Sequence, residues 1–551
     1  MRYSGIFTIK QFHMKIYLPF LLFAMLACKN NQPSGNNQLT DDLAKDISVL
    51  ASDSLQGRAP CTPGENRTIS YLEKRMKDIG LDPAFNGSFF QEVPLVKITT
   101  KVPDVISFKT PNSTLHMNGG SDISVWSPVP QNEVSLKNVE MIFAGFGINA
   151  PEQQWNDFSG IDVAGKIIVV VVNDPGFYTG DSTLFKGKTM TYYGRWHYKF
   201  EEAERLGAAG CLIIHQEKAA GYPWAIVNRH HNNTEYYLSD EKLTTAKCKL
   251  QGWITTDAAR KLFKENGFEL DEMIKEAATR GFRAKPLNTT LSLDVKNYFE
   301  RCTSHNVAGI LRGSSEKDEA IVYTAHWDHL GIGAVVDGDS IYNGASDNAS
   351  AMAWMLAIAK EFKNQKEPCK RSVIFLFPTA EESGLLGSDW YVQHPAIPIK
   401  NTVACFNSDV YLFLGHFNDV TVTGLGQSEL DEILSAEAKT QSRYIASDPN
   451  PENGMLFRSD QLSFMKAGVP ALFAKGYTDQ KELGKEKTAE KIKSYWQNIY
   501  HKPCDEFDSK KDNLDGLADD VHLFYKVGLH VANSNLFPEW KTGSEFFVDR
   551  K

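Results

Sequence analysis

Three hydrophobic runs in the second half of this chain end in side chains of the kind that bind cations or move protons. AIVYTA (320–325) leads into His326-Trp327-Asp328-His329, SVIFLF (372–377) into Glu381-Glu382, and TVACFNS (402–408) into Asp409. His326 and Asp328 are two apart, so in extended chain both side chains point the same way. A carboxylate so placed holds one ring nitrogen of a histidine and leaves the other for a metal. Adjacent glutamates divide the work differently: one carboxylate binds metal while its neighbour, facing elsewhere, takes a proton from water. Asn343-Gly344-Ala345-Ser346-Asp347-Asn348-Ala349-Ser350 reads by itself as a turn and a helix N-cap, yet it carries Asp347 where a bridging carboxylate is needed. Tyr500-His501 reads by itself as a core aromatic pair, although Asp505 and Glu506 just after it favour a polar setting. Each feature alone is weak, since most Glu-Glu pairs are solvated helix starts. Together they are not, because sites in open α/β sheets lie beyond the carboxyl ends of the strands.

The elements that must carry these residues are legible from periodicity. After about Asn306 the chain alternates strand and helix, the pattern of a mixed, largely parallel sheet flanked by helices. A fourth strand is ALFAK (471–475), and helices are predicted over 349–362, 384–393, 427–440 and 517–533. Near the start, Leu43, Ile47 and Leu50, then Ile69, Leu72, Met76 and Ile79, form two helical stripes joined by the turn-rich GRAPCTPG (57–64). Between 98 and 299 the texture changes to strands and turns, as in MIFAGFG (141–147), KIIVVVVND (166–174) and CLIIH (211–215), with a helical EEAERLGAAG (201–210). At 551 residues more than one domain is expected. The division read here is a catalytic domain over 41–97 and 300–551, interrupted by an inserted β-rich region over 98–299.

Taken jointly, Ala325-His326-Trp327-Asp328, the 343–350 loop, Glu381-Glu382, Asn407-Ser408-Asp409 and Tyr500-His501 resemble the M28 family of zinc peptidases in order and spacing. Gly57-Arg58, Ser459-Asp460 and Gly468-Val469-Pro470 add to the likeness, which covers nearly the whole mature chain. The resemblance implies two zinc ions per chain, one held by His326 and Glu382, the other by Asp409 and His501, with Asp347 bridging both. It makes Glu381 the general base, Asp328 the partner that orients His326, and Tyr500 a group that stabilises the oxyanion. Two ions so placed lower the pKa of the attacking water and clamp the developing charge. The chain departs from the family at Ala351, where Gly is usual, and at Gln461, where His is common; the latter bears on substrate preference. LKNVEMIFAGFGINAPEQQWNDFSGIDVAGKIIVVVVNDPG (136–176) looks like part of a protease-associated domain, spanning about 135–280, which in this family lies over the cleft. The loops of Cys61 and Cys504 are also expected near the cleft, where neither position is ordinarily a cysteine. A disulfide between them is therefore considered, against free thiols or pairing of Cys369 and Cys405.

The implied activity is removal of N-terminal residues from peptides. A glutamate carboxypeptidase-like activity is the alternative, and it needs a basic cluster such as Arg195 and Arg458. A single-zinc glutaminyl cyclase is disfavoured by the large insert and the intact second ligand set, a non-catalytic binding protein by the presence of every ligand and the base. The net charge of −9, with no Lys/Arg block, argues against nucleic acid as a partner. Basic Met14-Lys15, apolar Ile16–Ala27 and then Cys28 resemble a lipoprotein leader over 1–27, with Cys28 lipidated at the bacterial cell envelope and 28–40 a flexible tether. Removal of 1–27 takes Arg2, Lys10 and Lys15 and moves the net charge to −12, so the lipid and not charge would hold the protein to a membrane.

Overall fold

The computed structural model describes residues 35–239 and 247–547, together with residue 8. The leader, its cleavage point and Cys28 lie outside the described residues. Residues 35–40, expected in the tether, belong instead to helix α1 (Gly35–Leu50). A 3-10 turn over Asp53–Arg58 leads to α2 (Pro63–Ile79), and β1 (Phe90–Lys101) then leaves the catalytic part.

Within the insert, β2 (Ile167–Val171), α3 (Trp196–Arg205) and β3 (Gly210–His215) form a parallel strand–helix–strand unit. Apolar clusters cover both faces of its sheet, one holding Val169 and Leu212, the other Val170 and Ile213. The chain returns along β4 (Lys285–Leu311), which pairs antiparallel with β1 from Phe90↔Val307 to Lys101↔Lys296. The boundaries expected at 98 and 299 therefore fall opposite one another within paired strands, Ile98 facing Phe299 on β4 on one side and Glu235 of the strand Thr234–Leu238 on the other. The reason is visible in β4 itself: Leu287, Thr289, Leu291, Leu293, Val295 and Asn297 are buried on alternate positions, the two-residue period of a continuous strand.

The catalytic part is built on β5 (Glu316–Thr324), α4 (Ser350–Lys363), β6 (Arg371–Phe377), β7 (Thr402–Asn407), β8 (Ala471–Lys475) and α5 (Asp515–Asn533). β5 runs parallel to both β6 and β7, β7 runs parallel to β8, and the end of β4 closes the other edge antiparallel to β6. This is the mixed, mostly parallel sheet that the sequence predicts. Every residue of β6 is buried, as both faces of such a sheet require. Ile321, Tyr323, Val373 and Phe375 face the cluster that contains α1, α4 and α5, and Val322, Ile374 and Leu376 face Tyr391 and Phe464. The Tyr323 hydroxyl donates to the Phe524 carbonyl at 2.7 Å, tying β5 to α5.

Candidate metal centre

The three parallel strands β5, β6 and β7 end at one edge, and the residues just beyond them converge there. His326 is 1 % exposed. Its Nδ1 lies 3.1 Å from the Asp328 carbonyl, an acceptor only, so Nδ1 donates to it and Nε2 is the ring nitrogen that faces the site. The Asp328 carboxylate is 3.8 Å from His326 Nδ1 and accepts from the backbone N–H groups of Glu381 (3.0 Å) and Glu382 (3.4 Å). Asp328 thus orients the Glu381–Glu382 turn as well as the histidine.

Asp347 stands at the centre. Its Oδ1 is 3.4 Å from His326 Nε2 and its Oδ2 is 3.2 Å from His501 Nε2. His326 Nε2 is also 3.4 Å from Asp409 Oδ1 and 3.8 Å from Glu381 Oε2, whereas His501 Nε2 is 3.1 Å from Glu382 Oε2. The residues therefore sort as His326 with Asp409 and His501 with Glu382. This corrects the partition inferred from resemblance, which paired His326 with Glu382 and Asp409 with His501. Asp347 offers one oxygen to each half, as a bridge requires. Two groups of donors each lie within 4.8 Å of one another: His326, Glu381 and Asp409, then His329, Asp347, Glu382 and His501.

The donor set fits a divalent cation. His501 Nε2 is buried and makes no hydrogen bond although two carboxylate oxygens stand within 3.2 Å. Ring nitrogen and oxygens thus point at a common space, in the imidazole and carboxylate chemistry that zinc accepts. Electrostatics agree. Burial alone would lower His501, but Glu382 and Asp347 outweigh it and push it up to about 10. His326 is likewise raised by Glu381, Asp347 and Asp409 against its burial. Protons held this way are those that a bound cation displaces. Tyr500 stacks on His501 with ring centres 3.8 Å apart. Burial and the carboxylates of Asp347, Glu382, Asp409 and Glu381 raise its phenol, keeping it a donor.

Several further residues brace the site, and the sequence assigned no role to His329, Asp505 or Lys475 among them. His329, three positions after His326, places Nδ1 2.7 Å from Glu382 Oε1. Asp505 accepts from the N–H groups of Ser346 (3.0 Å) and Asp347 (3.1 Å). Lys475 Nζ donates to the carbonyls of Asp409 and Val410. Arg58, fully buried, donates to the carbonyls of Leu50, Trp327, Asn343, Gly344 and Asp347. Gln461 accepts from the Asn407 amide and donates to the Leu456 carbonyl, so it braces the strand end that leads to Asp409. The cysteine expectation fails. Cys61 is bonded to Cys302 of β4, with Cα atoms 6.2 Å apart. Cys504 is exposed, and its thiol donates to the Asn498 carbonyl at 3.5 Å.

A mostly parallel sheet with paired His/carboxylate groups at its carboxyl edge defines an α/β protein with a metal-binding type of site. Residues 306–524 match the model of peptidase family M28. The chain is 35% identical over 114 residues to aminopeptidase YwaD of Bacillus subtilis, covering 20% of this chain and 23% of that protein. It is 29% identical over 160 residues to aminopeptidase NAALADL1 of Mus musculus, covering 28% and 19%. Those matches span about a fifth of the length of each relative. A longer match, 22% over 471 residues, is to an aminopeptidase of Pseudomonas aeruginosa, covering 83% of this chain and 74% of that one. Among solved structures, an aminopeptidase from Aneurinibacillus sp. strain AM-1 aligns over 91% of this chain and 97% of its own at 17% identity and a TM-score of 0.47.

Proposed function

We propose that this protein is a two-zinc aminopeptidase. The observation that carries the reading is Asp347 with one oxygen toward the His326–Asp409 half of the site and the other toward the Glu382–His501 half. The family match and the aminopeptidase names of the relatives support it. His326 and Asp409 would hold one ion, Glu382 and His501 the other, and Asp347 both. When bound, the ions supply Lewis acidity to the scissile carbonyl and lower the pKa of the attacking water.

The chain's own residues do the rest. Glu381, beside His326 and fastened through its N–H to Asp328, accepts the water's proton and returns it to the leaving amine. Tyr500 donates its phenolic proton toward the oxyanion. Asp328, His329, Asp505, Lys475 and Arg58 hold ligands in place. The insert, with the 136–176 stretch and its parallel strands, is taken as a protease-associated domain. The test is zinc analysis with a hydrolysis panel of free and N-acetylated peptides, each with free and amidated C-termini. Two zincs per chain and cleavage that requires a free N-terminus are expected. Cleavage of acetylated peptides alone would overturn the aminopeptidase reading.

The same proposal includes export and a lipid on Cys28, supported by the apolar Ile16–Ala27 run before it. No helix among the described residues is long and apolar enough to cross a membrane. Cys28→Ser is expected to move the protein from the membrane fraction to the soluble fraction. Unchanged fractionation would refute the anchor.

A further inference from the structure

Between Gln56 and Cys61 the backbone holds a conformation that residues with side chains avoid. Gln56 has φ +52°, Arg58 +54° and Cys61 +59°, with Gly57 among them at +64°. Left-handed backbone crowds a Cβ against the following carbonyl, so such residues persist only where their surroundings over-determine them. Three restraints do so here. Arg58 is fixed by the carbonyls it donates to. The Cys61 N–H donates to a Glu65 carboxylate oxygen at 2.5 Å, and the Cys61 sulfur is bonded to Cys302.

The last two restraints end on one strand. Glu65, buried at the start of α2, turns its other oxygen to His305 Nδ1 at 3.0 Å, and His305 follows Cys302 by three residues on β4. The His305 carbonyl accepts from Trp327 Nε1 at 2.9 Å, and Trp327 stands between His326 and Asp328. The disulfide packs on a small apolar cluster that contains Val93, Leu95 and Ala380. Ala380 immediately precedes Glu381 and is itself left-handed, at φ +52°. One covalent bond thus stands where the Arg58 loop, the strand that meets Trp327 and the turn that presents Glu381 come together.

Cys61 and Cys302 are both half-buried, whereas Cys211, Cys248, Cys369 and Cys405 are buried thiols. Access is one determinant of exchange with external thiols, so a small reductant reaches this bond. Once it is open, Cys61 keeps only the hydrogen bond to Glu65, and the strain between 56 and 61 is free to relax. Relaxation there draws Arg58 away from the carbonyls of Asn343, Gly344 and Asp347, which belong to the turn that carries the bridging carboxylate.

We propose that the Cys61–Cys302 bond is a redox control on the metal centre: reduced, the protein stays folded but holds zinc more weakly and loses activity. The step is thiol–disulfide exchange with a monothiol of the glutathione type. A thiolate attacks one sulfur of the pair, the other leaves as a thiolate, and a second donor thiolate then displaces the first cysteine. Two electrons and two protons pass to the protein, two cysteine thiols form, and the donor leaves as its own disulfide. The inference rests on the zinc reading above. Linkage makes it reciprocal, because what the open bond costs in zinc affinity returns as resistance of the zinc-loaded protein to reduction.

Two measurements on the full chain test it. Wild-type protein, zinc-loaded and zinc-free, is equilibrated in buffers of reduced and oxidised glutathione, and alkylation with mass mapping counts open Cys61–Cys302 bonds apart from the free Cys504. The ratio of reduced glutathione squared to oxidised glutathione at half-reduction is expected to rise about 5- to 150-fold when zinc is bound. The zinc Kd, read by competition with a chromophoric chelator, should be weaker by a similar factor in the Cys61→Ser, Cys302→Ser double variant than in the oxidised wild type. Activity at limiting zinc should fall with it and return when zinc is raised. An unchanged ratio or an unchanged Kd overturns the inference. So does a reduced wild type that is unfolded at the assay temperature, since the bond then serves stability alone. If only the double variant fails to fold, the glutathione ratio decides. If the oxidised wild type binds no zinc, the zinc reading fails, and amide hydrogen exchange decides the linkage separately. Faster exchange confined to 56–62 and 343–349 on reduction upholds it, and no change there overturns it.

Discussion

Glu381 and Glu382 are neighbours in sequence and do different things because Asp328 pins both of their N–H groups. Pinned there, Glu382 meets His501 and His329 while Glu381 meets His326. If Glu381 is the base, Glu381→Gln keeps the ligands and removes only the proton acceptor. kcat should fall by about 10²- to 10⁴-fold with zinc content unchanged; steady-state kinetics and metal analysis check this, and normal turnover would remove Glu381 from the role. Asp347→Asn has a different signature. A neutral amide in place of the carboxylate that faces both histidines should lose metal along with activity. Two tightly held zincs per chain in this variant would contradict the bridging role.

At the scale of elements, the site depends on the 53–58 turn as much as on the strands. Gly57 has φ +64°, and a Cβ there would stand 2.5 Å from the Gly331 carbonyl and 2.6 Å from that of Tyr342. That close approach is what brings Arg58 under the ligand loops. Its guanidinium ties the loop after β5 to the 343–347 turn through carbonyls of both. Burial lowers Arg58 to about 10, opposed by the carboxylates of Asp347, Asp505, Asp328 and Glu382, so it remains a cation at neutral pH and offsets part of the acidic cluster. Arg58→Met deletes that charge and strands five carbonyls. A loss of about 3 kcal/mol or more is expected, together with reduced zinc content; thermal melts and metal analysis read the two effects. Arg58→Lys keeps charge without the planar fork and should restore stability only in part. An Arg58→Met protein with native melting and full zinc would show that the turn merely fills space.

At the scale of the whole molecule, the insert and the catalytic part share a long ribbon and a covalent tie. Cys61, three residues after Arg58, is bonded to Cys302 on β4 across 241 residues. In the chain-entropy model, closing a loop of that length stabilises the fold by about 5 kcal/mol. Cys302→Ser should lower the melting temperature, and a reducing agent should lower that of the native protein but leave the variant unmoved. An unreduced digest should contain the 61–302 cross-link and a free Cys504 thiol. Equal melting of the two proteins without reductant would show that the bond adds nothing to stability.

The sequence by itself determined the architecture of the catalytic part, because a strand buried on both faces, such as 371–377, must be apolar along its length and so announces itself. It also determined the kinds of residue that gather at the strand ends, since cation and proton chemistry accept few side chains. Which of them face one another was decided only by the tertiary structure. His326 and Asp409 are 83 residues apart, Glu382 and His501 more than a hundred, and local periodicity carries no information about approaches between loops. The same holds for Cys61, whose partner lies on a strand that crosses the expected domain boundary, and for His329 and Asp505, ordinary polar residues until the fold sets them against Glu382 and the Asp347 turn. Arg195 and Arg458 show the limit most plainly. A sequence displays two positive charges, but only packing sets buried Arg195 beside half-buried Arg458 at one seam, without an ion pair to either among the described residues.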